Sequence, residues 1–378
     1  MEKLTVGIIC APELPTKITK EILEDLKKRF AQSVSNQIEW ELDYKVDQLT
    51  GAAEQAHEIF DTAEKLKRQN NWNYVICLTD LPKHSVKHET VLADLDFDKR
   101  IGQISLPAFG FPPMKNRVKK SIIQVMQELY QANTLPPTTS NFNENKIKRQ
   151  FPFSSIKKTH DIETESNVDA RYLVIPAING KLRVLAGMTF ANRPWLLLTS
   201  FKPIIAVAFG TGAYSIIFTT LWQLSVNYSI FRLAALMLVS CISMIIWMII
   251  SHDLWEKPTK KGKKRIRILY NTATIFTLLI GVLVFYLILF VFFSIAIMVF
   301  VPPEMFKSVT ELEGNVTLFS FLRLSWLGTS VAILAGAIGA GSANPEIVRN
   351  IAYGYRQYQR YKELQVENEK NTKEKTAE

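Results

Sequence analysis

Residues 1–134 change their apolar period in a regular order. LTVGIIC (4–10) is a continuous apolar run of strand length, and Ile18, Ile22, Leu23, Leu26, Phe30 and Val34 follow at helical spacing. IEWELDYKV (38–46) then alternates: Ile38, Trp40, Leu42, Tyr44 and Val46 against Glu39, Glu41, Asp43 and Lys45. That alternation predicts a strand with one solvated face, at a sheet edge. A second helical stripe joins Ala52, Ala56, Ile59, Phe60, Ala63 and Leu66, and NYVICLTD (73–80) reads as a central strand. TVLADLD (90–96) and IGQISLP (101–107) are separated only by FDKR, too short for a crossover, so they are expected to pair antiparallel. A third helix is predicted from about Lys115 to Ala132, burying Val118, Ile122, Val125, Met126 and Leu129. Alternating strands and helices mean a parallel sheet covered on both faces. Right-handed crossovers favour the strand order 2-1-3. The expected fold is an α/β doubly wound sheet of about five strands, flavodoxin- or Rossmann-like.

The second half follows a different pattern. Phe201–Trp222, Ile230–Ser251, Ala273–Phe300 and about Leu318–Gly341 are long apolar stretches. Each is able to cross a hydrocarbon core of ~30 Å at 1.5 Å per residue. The expectation is an all-α domain of four transmembrane helices over 201–341, joined to the α/β domain. Between them, 135–168 is polar and aperiodic and reads as a flexible linker. In 169–200 an apolar segment, an Asn179-Gly180 turn and Trp195 suggest a membrane-surface module. Asn344-Pro345-Glu346 is a helix start. The tyrosines and arginines that follow, Arg349, Arg356 and Arg360 among them, suit a cytoplasmic helix at the headgroups, and the end of 342–378 reads as a disordered tail.

Charge fixes a direction for these spans. The chain carries +10 overall, but 1–135 is near neutral at −1, while 136–200 carries +4 and 201–272 carries +7. Loop 252–267 holds Lys257, Lys260, Lys261, Lys263, Lys264, Arg265 and Arg267, whereas loop 302–315 has three acids and one lysine. The positive-inside rule then places both termini in the cytoplasm of a multi-pass cell-membrane protein, with the basic excess facing anionic headgroups. A nucleic-acid binder would instead show a basic stripe on its folded domain. The N-terminal apolar core is too short for a signal peptide. Arg232 and Arg323 lie near the outer span ends, able to snorkel or to pair with Glu304, Glu311 or Glu313. Gly328, Ala332, Gly336 and Ala340, like Ala206 and Gly210, have the spacing of close helix packing rather than of a pore lining.

Candidate chemistry gathers at one sheet edge. In open α/β sheets, ligands bind outside the strand carboxyl ends, at the switch point. Segments 11–17, 47–51, 79–88 and 107–117 would leave those ends together, making a ligand-binding rim of Asp47, Asp80, His84, His88, Lys115 and Arg117. Asp80 is the candidate catalytic base, against the plainer reading of a turn residue accepting backbone N–H groups. His84 and His88 with Asp94, Asp96 and Asp98 have ligand-type side chains, but the spacing HSVKH is not HExxH, and no metal site is assigned. Cys10, Cys77 and Cys241 lie singly in apolar runs, as buried thiols do. GxGxxG, GxxxxGK[ST] and GxSxG are all absent, so no cofactor is identified.

At CLTDLP (77–82), ISLPAFG (104–110) and INGKLRVLAGMTFANRPW (178–195), the chain resembles a family of bacterial membrane proteins. The resemblance implies a cytoplasmic α/β domain with four membrane helices, over nearly the whole chain. Such proteins go under the label 5,10-methylenetetrahydrofolate dehydrogenase, an activity that implies a pyridine-nucleotide site. The family supplies no catalytic residues to carry over. Three functions are open on the residues: a sensor, regulatory or scaffold protein whose head binds a small molecule or a protein partner; a membrane-tethered enzyme acting around Asp80; or a small transporter.

Overall fold

The computed structural model describes residues 2–48, 50, 56–85, 89–134, 155–160, 168–257, 264–339, 341, 343–360 and 362–363. The chain forms two compact units, one from Met1–Ala191 with Arg356–Glu378, the other from Asn192–Tyr355.

The first unit is built on a mixed sheet. Strands β1 (Glu2–Cys10), β2 (Ile38–Val46), β3 (Tyr74–Thr79) and β6 (Ile101–Ser105) are parallel, in the order β2-β1-β3-β6. β5 (Thr90–Asp96) runs antiparallel beside β6, as the four-residue link FDKR requires. Helices α1 (Leu14–Ser33) and α3 (Met114–Thr134) bury Ile22, Leu26, Val118 and Leu129 in one core, together with Val6, Ile8, Ile76 and Leu78. Helix α2 (Ala56–Gln69) covers the other face, where Ile59, Phe60 and Ala63 meet Ile9, Val75 and Cys77. Neighbouring residues of β1 and β3 thus point into opposite cores, which makes the sheet doubly wound.

The sheet is larger than the apolar runs predict. Among the described residues it has eight strands, because β8 (Ala170–Ile175) pairs with β5, β7 (Ser155–His160) pairs with β8, and the short β4 (Lys83–His84) pairs with β5. The stretch read as a linker, 135–168, therefore contributes an edge strand, and its remaining residues, Val168 excepted, lie outside those described. β7 escapes detection because SIKKTH buries one apolar side chain, Ile156, and exposes Lys157 at the edge; charge there is a common guard against edge-to-edge pairing. The supposed surface module is likewise divided. Ala170–Ile175 is a sheet strand, and Asn179 and Gly180 lie inside helix α4 (Ala177–Ala191) instead of forming a turn.

Two glycines explain how α4 docks. A Cβ at Gly180 would lie 2.9 Å from the Thr90 hydroxyl, and one at Gly187 only 2.3 Å from the Pro107 carbonyl oxygen. Gly187 thus admits the backbone of the Leu106–Phe109 turn directly onto the helix. Gly187→Ala is expected to lower stability by about 1–3 kcal/mol, since backbone must move to admit the methyl. Chemical denaturation of the full chain measures it; an unchanged midpoint would refute the contact.

A buried carboxyl adds a pH dependence. Glu128 on α3 is 2% exposed, with Lys158 Nζ of β7 at 2.9 Å from Oε2. Burial pushes its carboxyl up to about 7, against the pull of Lys158. The folded state therefore holds a proton that the unfolded state has lost between about pH 4.5 and 7, so this site destabilises increasingly as pH rises through that window. Glu128→Gln is expected to stabilise the chain at pH 8 relative to pH 5 by about 3 kcal/mol at most. Equal effects at the two pH values would contradict it.

The second unit is helical: α5 (Lys202–Ile217), α6 (Thr219–Asn227), α7 (Ile230–Ser251), α8 (Lys264–Phe300), α9 (Pro303–Thr310), α10 (Leu318–Gly339) and α11 (Pro345–Arg349). Three of them, α7, α8 and α10, are long and apolar enough to cross a membrane. A bent pair, Ala177–Ser200 with Ile204–Ile217, would make a fourth. Phe231, Leu287, Val299 and Ile338 are exposed on these helices, an apolar surface. The stretch Phe201–Trp222 is broken at Phe218, whose backbone is extended. There the Trp222 indole donates to the Ser215 carbonyl at 3.0 Å, satisfying a helix-end acceptor. α8 starts at Lys264, ahead of the expected Ala273, so the end of the basic loop is helical.

Small residues do serve packing within this unit. Gly328 and Gly336 of α10 approach Ser215 and Ile204 of α5, and Gly212 makes room for the Phe293 ring. Gly210 meets nothing within 4 Å, and Ala340 lies outside the described residues. Tyr286 of α8 shares a 2.8 Å hydrogen bond with Ser330 of α10. Arg323 pairs with none of the three suggested acids. It donates to the carbonyls of Ser225 (2.9 Å), Val226 (3.0 Å) and Tyr228, closing the C-terminal end of α6. Arg232 lies over the Tyr228 ring at 4.9 Å.

Candidate functional site

The four parallel strands end level: Cys10 is opposite Val46 and Leu78, and Thr79 is opposite Ser105. β2 and β3 lie on either side of β1, so the switch point falls between the ends of β1 and β3. Asp80 follows β3 and Glu13 follows β1.

The turn at Asp80 is held from both sides. The Thr79 hydroxyl accepts from Leu81 N at 3.1 Å, and the Ser105 hydroxyl donates to Leu81 O at 2.7 Å. Asp80 itself is 1% exposed. Its two carboxylate oxygens accept from the two terminal nitrogens of Arg360, at 2.8 and 2.9 Å. This is the paired fork geometry that makes arginine–carboxylate contacts strong. Arg356 stands one helical turn away, within the helical stretch 353–360. Its guanidinium lies 3.4 Å from Glu13 Oε2 and 3.8 Å from Asp80 Oδ2. Both arginines are about 5% exposed or less. They belong to the head unit's polar interior, not to a headgroup-facing surface.

Glu13 has an unusual backbone, φ 68° and ψ −112°, at the start of α1. Its side chain makes no cap to that helix and is directed to Arg356. A side-chain-bearing residue in that region is strained, and such strain gathers at functional places.

Electrostatics decide what Asp80 can do. Burial alone would raise its carboxyl, but the Arg360 guanidinium with its paired hydrogen bonds, and Arg356 behind it, hold it below the usual carboxylate range. A carboxylate so held, with both oxygens engaged, is a poor proton acceptor. Nor is a thiol at hand: burial pushes Cys10 up to about 12 and raises Cys77 as well.

The other described rim residues make contacts that do not include Asp80. Asp47 accepts from Thr50 N and Oγ1 at 2.7 and 2.8 Å, closing its turn. Lys115 lies 3.3 Å from Glu21, and Arg117 donates to the carbonyls of Phe109 (3.1 Å) and Phe111 (3.2 Å). His84 sits on β4 opposite Thr90, and His88 lies outside the described residues. Among the described residues, Arg356 and Arg360 are the side chains that reach Asp80. No group of three or more His, Cys, Asp or Glu side chains among them could hold a metal ion.

Glu13, Arg356 and Arg360 were not singled out by the sequence as site residues. Spacing carried one usable signal: arginines four apart share one helix face. No protein-family model, curated protein or solved structure matches the chain.

Proposed function

We propose that this is an integral membrane protein whose cytoplasmic α/β head binds a small ligand or a protein partner in a sensor, regulatory or scaffold role. The observation that carries the reading is the switch point itself. It holds a buried carboxylate whose two oxygens are both taken by a cationic fork. A membrane-tethered enzyme would need a proton acceptor where Asp80 has both oxygens taken.

The membrane part of the reading rests on three long apolar helices; placing both termini on one side would need the broken stretch 201–222 to cross as well. Loop 252–267 is basic and loop 302–315 acidic, which would place both termini in the cytoplasm and the lysines at anionic headgroups. On this reading the chain would sit with the four-helix bacterial membrane proteins it resembles.

A thermal-shift screen of the full chain in nanodiscs tests the small-ligand form, using nucleotides, pyridine cofactors, folates and divalent metals. A ligand at 100 times its dissociation constant should stabilise the head by ~2.7 kcal/mol, and Asp80→Asn should abolish the shift. Shifts that survive Asp80→Asn would move the site elsewhere. No shift with any ligand would sink this form for these classes.

A further inference from the structure

The head's switch point is already filled, and by a chemically specific group. Asp80 presents two oxygens to one guanidinium at 2.8 and 2.9 Å, and Glu13 presents a third to a second guanidinium at 3.4 Å. Both guanidiniums come from 356–360, hundreds of residues along the chain from the strand ends they close. We propose that Glu13 and Asp80 form a guanidinium-binding site, that Arg356 and Arg360 are its built-in occupants, and that a guanidinium-bearing ligand exchanges with them. The inference rests on the regulatory reading above and names the ligand class of that same site.

Three features argue for a site and not only for a structural tie. The first is position, since the crevice outside the strand ends at the switch point is where open α/β sheets take their ligands. The second is preparation: Thr79 and Ser105 fix the turn that carries Asp80, and Glu13 is held in a strained backbone state with its carboxylate turned to Arg356 and not to its own helix. The third is access. The Glu13 side chain is 40% exposed while those of Asp80 and Arg356 are 1% and 4%, so solvent reaches the carboxylate pair on the Glu13 side. Among the described residues, two carboxylates face two guanidiniums in this crevice. Emptying it uncovers a buried negative charge, which only a cation of matching shape would neutralise.

The test uses the full chain in nanodiscs carrying Arg356→Ala and Arg360→Ala, with methylguanidinium at low millimolar concentration as probe and methylammonium as control. The melting temperature of the double variant should fall, and methylguanidinium should restore most of the loss. A synthetic peptide of residues 345–363 added in trans should do the same. Methylammonium lacks the planar fork and should restore little. Adding Asp80→Asn should abolish both rescues. Equal rescue by methylammonium, rescue that persists in Asp80→Asn, or rescue by the peptide alone would each overturn the proposal. Should the double variant fail to fold, Arg360→Lys serves instead: it keeps the charge and loses the fork. Methylguanidinium should then compete at 360 and raise its melting temperature, and no rise would overturn the proposal. A ligand shift in the Asp80-dependent screen without methylguanidinium rescue would sink this inference and leave the regulatory reading standing.

Discussion

Alanine at Arg360 is expected to lower the stability of the head unit by about 3–5 kcal/mol, the usual effect of stripping one partner from a buried ion pair. Asp80 is 1% exposed and both of its oxygens accept from Arg360, so truncation leaves a charge with Arg356 at 3.8 Å as its remaining partner. Replacing both partners by apolar residues of similar volume, Asp80→Leu with Arg360→Met, should recover much of the loss. A double-mutant cycle in urea on the full chain reads the coupling directly. The same pair sets an acid limit. Because the Asp80 carboxyl is held below its ordinary value, its contribution is present above the unfolded value and lost as pH falls through the folded one. The parent should therefore lose stability below about pH 4, and Asp80→Asn should lack that component. A cycle with no coupling would mean that the pair is not formed in solution.

Arg171→Ala is expected to cost a similar amount, about 3–5 kcal/mol. Gln103, Asp94 and Arg171 face one another across β6, β5 and β8, and Lys83 approaches from β4. Arg171 Nε and one terminal nitrogen donate to the two oxygens of Asp94 at 2.6 and 3.1 Å, while Lys83 lies 3.8 Å from Asp94 and donates to Gln103. All four side chains are buried. Removing the guanidinium leaves Asp94 with its more distant cation only. Since Arg171 is the residue by which β8 holds that cluster, the loss should be partly local, with β7 and β8 exchanging amide protons before the parallel strands do. Uniform loosening of the whole sheet would contradict this.

These two pairs show where the sequence is informative. The order 2-1-3 and the antiparallel β5 follow from apolar runs and from link length, which are local quantities. β7 has one buried apolar side chain and two lysines, so no period marks it. Asn179-Gly180 has the composition of a turn, yet Gly180 is there because Thr90 leaves no space for a Cβ. Asp80 stands out in the sequence because strand ends at a switch point are where sites form. Its partner does not, because Arg360 lies 280 residues away and its helix carries tyrosines and arginines as an interfacial helix would. Burial of such a pair is a property of the folded chain, and no spacing encodes it.

The most direct test of the account is hydrogen–deuterium exchange of the full chain, comparing the parent with Arg356→Ala/Arg360→Ala at segments 11–17 and 78–84. Exchange should be faster by about tenfold or more at both segments in the variant, equivalent to ~1.4 kcal/mol of local protection, with β2 little changed. Unchanged protection at both segments would mean that the C-terminal arginines do not fill the switch point.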